Sequence, residues 1–380
     1  GFLVSAIQSE LETRGDGIGV GNYYSRGPGA DADGAPLNGY EDQQVYMPGV
    51  ISIRTANNDR TREGFGSSLQ WQNADETIVA TVEYIKAEAE LITREYVVYS
   101  PYEQGFVIGG NTAINLSTNP DDADFPTVIE DGFFKAGALD SGLLWYNTRF
   151  NDTDNSVEDA SFNLKLRPMD NLTIDLDVQR VDSSNTVMNN SFMSQSTGSR
   201  FYVDLRGSNP SIEYLSPSVR NPNTNGAAAT NTNFIRSLLE QNVDNDAKMD
   251  AYSADVTYEI EDNWITGVKA GVYYADKDLV VRDTEYSNWG VVGGCGWCAG
   301  GPGFSGTSAD LSQSPTEFEK VRFNNFYRGA GINGDTNEFW FAKMSSVENL
   351  VETTLRGYEN GWMPYGTGSQ WLRTDRIPGT

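Results

Sequence analysis

The sequence predicts an all-β protein whose antiparallel strands form part of a transmembrane barrel, and three observations predict it. Hairpins of alternating apolar and polar residues recur along the chain. Their turns are short while the segments between them are long. No run of about 18 apolar residues encodes a membrane-spanning helix. Composition agrees, because 39 Gly, 19 Tyr, 17 Phe and 8 Trp stand against a hydrophobic fraction of only 38%, which favours turns and strands over helices. A barrel hides its lipid-facing residues at every second position, so its hydropathy per segment is weak.

The first hairpin spans residues 64–90. Phe65, Leu69 and Trp71 precede the turn Gln72-Asn73-Ala74-Asp75-Glu76, and Ile78, Ala80, Val82 and Tyr84 follow it. The second, 161–179, alternates most cleanly. Phe162, Leu164 and Leu166 share a face opposite Asn163 and Lys165; after Pro168-Met169-Asp170-Asn171 come Leu172, Ile174, Leu176 and Val178, alternating with Thr173, Asp175, Asp177 and Gln179. In the third, 252–274, Tyr252, Ala254, Val256, Tyr258 and Ile260 share a face, Glu261-Asp262-Asn263 is the turn, and Val268, Ala270, Val272 and Tyr274 return.

These turns are centred near residues 74, 170 and 262, much further apart than two strands of about 10 residues require. The intervening stretches 105–131, 183–246 and 288–316 are rich in Asn, Gly, Ser and Pro and read as long loops. Short turns at one end and long loops at the other is the asymmetry of an outer-membrane barrel. A soluble β-sandwich or propeller also alternates along each strand, but loops of this length are uncommon in compact soluble domains. The pattern yields ten to twelve candidate strands. Residues 1–285 read as barrel strands with interspersed loops, and 286–380 as a mostly extracellular loop region with further strands.

The formal net charge of −26 repels a phosphate backbone, and no Lys/Arg stripe offsets it locally, so nucleic acid is excluded as a partner. The absence of His removes the usual general base, metal ligand and triad orienter, and the chain reads as non-enzymatic. Cys295-Gly296-Trp297-Cys298 spells C-x-x-C, but the flanking glycines place it in a loop, where a short stapling disulfide is the expectation. Two cysteines without His cannot close a zinc site.

Acidic clusters at Asp121-Asp122-Ala123-Asp124 and Asp152-Thr153-Asp154-Asn155 raise calcium as a candidate ion. The second departs from the EF-hand pattern at Val157 and Asn163, and a solvated loop is the expectation there. Tyr286, Trp289, Trp297, Tyr327, Trp340, Trp362 and Trp371 gather in the last third of the chain. Such rings stack on sugars or apolar ligands; the alternative is that they pack the loops together or sit in an interfacial girdle.

The stretch Asn58-Asp59-Arg60-Thr61-Arg62-Glu63-Gly64-Phe65-Gly66-Ser67-Ser68-Leu69-Gln70-Trp71 resembles a barrel segment of TonB-dependent outer-membrane receptors. The likeness is to the long-looped proteobacterial subfamily often linked to carbohydrate uptake. Val45-Tyr46-Met47-Pro48-Gly49, the block from Trp264 through Val268 and Tyr274 to Asp276, and Phe323-Asn324-Asn325-Phe326-Tyr327-Arg328-Gly329 are similar to other blocks of that subfamily. The resemblance covers most of residues 1–330.

It implies a 22-stranded barrel in the outer membrane of a Gram-negative bacterium, an N-terminal plug, and import of a nutrient such as an oligosaccharide. It also implies lipid contact and a TonB-type energy-transducing partner in the inner membrane. Against that pattern, no plug-like segment, no coupling box and no terminal aromatic strand is recognisable, and the chain opens at Gly1-Phe2-Leu3-Val4 without a leader. A partial barrel is therefore expected, because open strand edges are not viable in lipid. The alternative is a barrel-derived fragment that assembles into a filament or sheet through its edges.

Overall fold

The computed structural model describes residues 1–29, 36–37, 39–101, 115–116, 125–214, 233–260, 264–284, 289–291, 317–333 and 337–359. Strand β1 (Phe2–Val20) leads to the short hairpin β2 (Tyr23–Arg26) and β3 (Val45–Pro48). β4 (Val50–Gln72) and β5 (Ile78–Pro101) follow, then the short β6 (Asn115–Leu116) and β7 (Val128–Glu130). Next come β8 (Phe133–Met169), β9 (Leu172–Asp204), β10 (Ser211–Tyr214), β11 (Asn233–Glu259), β12 (Gly267–Asp283) and β13 (Trp289–Val291). The chain continues through β14 (Phe318–Arg322), β15 (Ile332–Asn333), β16 (Glu338–Ala342) and helices α1 (Met344–Glu348) and α2 (Leu350–Glu359).

The long strands pair in the order β1, β4, β5, β8, β9, β11, β12, every step antiparallel. All three expected turns lie at one end of this sheet. At residues 73–77 Asn73 closes the turn, its Oδ1 accepting from the Ile78 amide at 2.9 Å and its Nδ2 donating to Thr77 Oγ1 at 2.7 Å. Glu76 takes the left-handed conformation, φ 52°. Asp170-Asn171 joins Met169 to its partner Leu172 in two residues, and Ile260 bonds the Thr266 carbonyl across the third turn.

The strands are far longer than the ten or so residues expected: 37 in β8, 33 in β9 and 27 in β11. Ser183 to Asp204 and Asn233 to Asp246, read above as loop, belong to β9 and β11. Asp152-Thr153-Asp154-Asn155 likewise lies inside β8 rather than in a loop. Polar composition signals a loop only where the backbone is otherwise unpaired. Here every Asn and Ser from Ser183 to Ser191 has strand partners on both sides, so the main-chain groups are satisfied, with the side chains partly hydrated up to Asn189 and buried at Asn190 and Ser191.

Side chains divide by parity. On one face, neighbouring strands align Phe2, Leu69, Val82, Phe162, Val178, Tyr252 and Tyr274 in one row. The next rows toward the turns are Trp71, Ala80, Leu164, Leu176, Ala254 and Val272, then Ile78, Leu166, Ile174, Val256 and Ala270. The opposite face carries Gln70, Thr81, Asn163, Asp177 and Ser253 in register. Its groups bond across strands, Asn163 to Asp177 at 3.1 Å and Lys165 to Asp175 at 3.4 Å.

Pairing of β4 with β5 and of β5 with β8 is unbroken from Ile78 to Val98, so the even residues of β5 stay on the apolar face throughout. Above Val82 and Tyr84 they become Lys86, Glu88 and Glu90, and above those Arg94, Tyr96 and Val98. This upper third of the same face is where the core lies. Ile51, Ile53, Val98, Leu144, Tyr146 and Phe201 are buried against Phe323, Phe339 and Phe341.

The covering layer is residues 317–333 and 337–359. The β14–β16 hairpin stacks aromatics, with Phe341 edge-on to Tyr96 at 5.0 Å and Phe339 edge-on to Tyr214 at 4.9 Å. Val347 and Leu350 add to a second cluster with Phe150, Phe192 and Leu238. Buried Glu317 accepts from Ser346 Oγ at 2.5 Å and faces the Arg356 guanidinium, which ties α1 and α2 to the hairpin. This compact unit occupies part of the region expected to be loops, and it packs on the apolar side of the sheet, so it is no plug for the polar side.

Phe341 is wholly buried. Phe341→Ala should destabilise this unit by about 3–5 kcal/mol, read as a lowered urea midpoint for loss of the near-ultraviolet aromatic signal.

Candidate functional site

At the end of β1 far from the turns, Arg14 and Asp16 point from the sheet toward the turn at 325–330. Arg14 is held by four contacts: Asp16 Oδ1 at 3.0 Å, Asp16 Oδ2 at 3.2 Å, Thr55 Oγ1 at 3.1 Å and the Asn324 carbonyl at 2.9 Å. Asp16 Oδ2 in turn accepts from the Tyr327 amide at 3.2 Å. Between them opens a cavity of about 640 Å³ lined by Arg14, Asp16, Asn209, Asn325, Tyr327, Arg328 and Ala330.

Asn325, Tyr327 and Arg328 all adopt the left-handed conformation, with φ of 50°, 50° and 57°. Each costs of order 1 kcal/mol for a residue with a side chain, and such strain concentrates where a loop must present groups to a ligand. Gly329, φ 86°, completes the turn without that cost. Arg328 is exposed, and among the described residues its guanidinium has no hydrogen bond or ion pair.

Of the aromatic residues expected to bind ligand, Tyr327 lines this cavity. Trp340 lies elsewhere: it packs at the edge of the Phe318 and Val347 cluster, with Lys320 Nζ 5.6 Å above its ring, a structural placement. Trp289 sits in β13, its backbone paired with Leu239. Tyr286, Trp297, Trp362 and Trp371 lie outside the described residues, as do Cys295, Cys298 and the Asp121–Asp124 cluster. The sequence reading missed Arg14, Asp16, Asn209 and Arg328. The turn containing Asn325 and Tyr327 was legible as a block, but its strand partner is some 310 residues away.

The other acidic cluster has a definite geometry. Asp152 and Asp154 on β8 and Glu90 on β5 bring one carboxylate oxygen each within 4.8 Å of the others, beside a cavity of about 390 Å³ lined by Thr61, Glu63, Glu88, Asp154 and Ser184 among others. Asp152 Oδ1 is buried with no hydrogen-bond partner. Burial, and then the charges of Asp154 and Glu90, push the Asp152 carboxyl above its ordinary range, against the pull of Arg94. Oxygen donors of this kind are what a hard cation requires, but only Asp154 of the three is fully exposed, Glu90 and Asp152 being half-buried, and acidic groups of this kind occur commonly without an ion.

No family model matches the chain, and neither a curated protein nor a solved structure matches it.

A raised carboxyl pKa means the folded state binds the proton more tightly than the unfolded state. The associated stability is present below the unfolded value near 3.8 and is lost as pH rises through the folded value. Asp152→Asn should therefore raise the thermal midpoint at pH 7, and that gain should vanish as pH falls below about 4. A gain independent of pH would contradict this assignment of the repulsion.

Proposed function

We propose that this chain forms part of an outer-membrane β-barrel that captures and imports a nutrient. Its turn end would sit in the bilayer and its long strand ends would carry the capturing loops outside. One observation carries the membrane part. The first apolar row runs across all seven strands on one face and the next two across six and five, and no member is buried: Leu69 is 59% exposed, Val82 49%, Phe162 42%, Val178 44%, Tyr252 48% and Tyr274 64%. Among the described residues no protein layer covers them. An exposed apolar surface this continuous marks a membrane or protein contact.

The belt has the dimensions and edges that lipid requires. Leu172 to Val178 covers about 20 Å along the strand, at the short end for a bilayer core, and the bacterial outer membrane is thinner than average. Aromatic residues bound it. Phe65, Tyr84, Tyr252 and Tyr274 lie at its upper margin, and Trp71, Tyr258 and the 90%-exposed Trp264 toward the turns, as in the girdles of barrels. Above it comes a charged band, where Arg180 meets Asp182 at 2.9 Å and Arg282 meets Asp246 at 2.9 Å. The opposite, polar face suits a water-filled lumen.

β1 and β12 each have one strand neighbour among the described residues. Six antiparallel steps separate them, so they run in the same direction and cannot pair antiparallel with each other. Closure thus takes an odd number of further strands. Nutrient import, an oligosaccharide ligand and a TonB-type energy-transducing partner rest on the resemblance to TonB-dependent receptors, and the Tyr327 cavity on the loop side supplies a place for capture. The free edges favour a second reading, in which other protein copies rather than lipid cover the belt.

Insertion separates the two. Leu176→Arg on the belt should cost about 2–4 kcal/mol in a bilayer and abolish protease-resistant insertion into phospholipid vesicles. Ser253→Arg, on the polar face beside Asp177, should insert normally. If wild type stays outside vesicles and assembles into sedimenting oligomers, the membrane reading fails and the assembly reading replaces it.

A further inference from the structure

We propose that the Tyr327 cavity recognises an anionic saccharide, one carrying a carboxylate on its ring, and that Arg328 is the group that selects it. This rests on the reading of the chain as a capturing receptor and goes beyond it by naming the ligand class. Charge is the first argument. In a chain of net charge −26, the cavity wall carries Arg14, Arg328 and, among the described residues, a single acid, Asp16. Arg14 and Asp16 neutralise each other through a two-point contact. Arg328 is left as a guanidinium with no ion-pair partner among the described residues, on a backbone held in the left-handed region.

The remaining lining supplies the other elements of sugar recognition. Tyr327 offers a half-exposed ring for the apolar face of a pyranose. Asn209 and Asn325 bring amides that can both donate to and accept from hydroxyls. A guanidinium binds a carboxylate through two parallel N–H bonds, which a neutral hydroxyl cannot reproduce. The surrounding acidic surface repels anions in general, so an unpaired arginine on the cavity wall gives selectivity that a diffuse basic patch would not. Arg14 lies twelve residues along β1 from the belt residue Phe2, about 40 Å at strand rise, on the loop side and clear of the bilayer.

The test is titration calorimetry of the full 380-residue chain in detergent, with galacturonic-acid trisaccharide against the neutral galactose trisaccharide. The uronate should bind at least tenfold more tightly than the neutral sugar and lose affinity as salt rises. Arg328→Gln should remove that tenfold preference by weakening the uronate; Arg328→Lys should restore part of it. Tyr327→Ala should weaken both sugars. Equal binding of both sugars, insensitive to Arg328→Gln, would overturn the anionic class and leave saccharide capture standing. Binding of neither sugar would overturn the cavity as a sugar site, while vesicle insertion judges the membrane reading separately.

Discussion

A strand that slips by one residue sends every side chain to the opposite face, and this molecule depends on that not happening over very long ladders. β4 lies against β5 without a register break from Val50 to Gln72, and β5 against β8 from Ile78 to Tyr99. Breaks at Leu139 to Leu144 and at Ile235 to Ser237 lie near the loop end, and a further one between Leu166 and Met169 falls at the turn end, just beyond the last belt row of β8. Across β4, β5, β8, β9 and β11 each belt row therefore remains apolar, and the row Gln70, Thr81, Asn163, Asp177 and Ser253 behind it remains polar until Tyr273 on β12. The turns contribute to this register: Asn73 clamps both Ile78 and Thr77, and the two-residue turn at 170–171 sets Met169 directly opposite Leu172.

The same ladder supports three environments on one face. Near the turns the apolar rows have no protein cover among the described residues, which in water would be costly at about 25 cal/mol per Å² of apolar surface left exposed. In the middle, acids and bases pair across strands and stay hydrated, contributing little to stability. At the loop end the face is dry again, where the aromatic hairpin and two helices seal it. The polar middle keeps the exposed belt and the buried core from merging into one hydrophobic surface. It also places the Tyr327 cavity, built where the sealing unit meets the edge strand β1, far from the belt.

The sequence made part of this legible and hid part of it for physical reasons. Turn position follows local chemistry, Asn and Asp between alternating runs, and the turns near 74 and 170 were located correctly, while residues 261–263 of the third lie outside the described residues. The apolar face followed from parity alone. Strand length did not, because Asn-, Ser- and Asp-rich stretches such as 182–196 are stabilised by neighbours on both sides, and nothing local records that pairing. The packing of 317–359 was likewise hidden, since Phe339 and Phe341 find their partners Tyr96, Tyr146 and Tyr214 in distant strands. The cavity was legible only at Tyr327, whose neighbours Arg14 and Asn209 look like ordinary surface residues until the fold assembles them.

The central claim is that lipid covers the belt, and a nitroxide scan of positions 172–179 in phospholipid vesicles tests it most directly. Accessibility to oxygen, which concentrates in lipid, should peak at Leu172, Ile174, Leu176 and Val178. Accessibility to a water-soluble nickel complex should peak at Thr173, Asp175, Asp177 and Gln179. Equal nickel accessibility at all eight positions, or immobilised labels shielded from both reagents along the apolar series, would contradict the account and place water or protein where lipid is proposed.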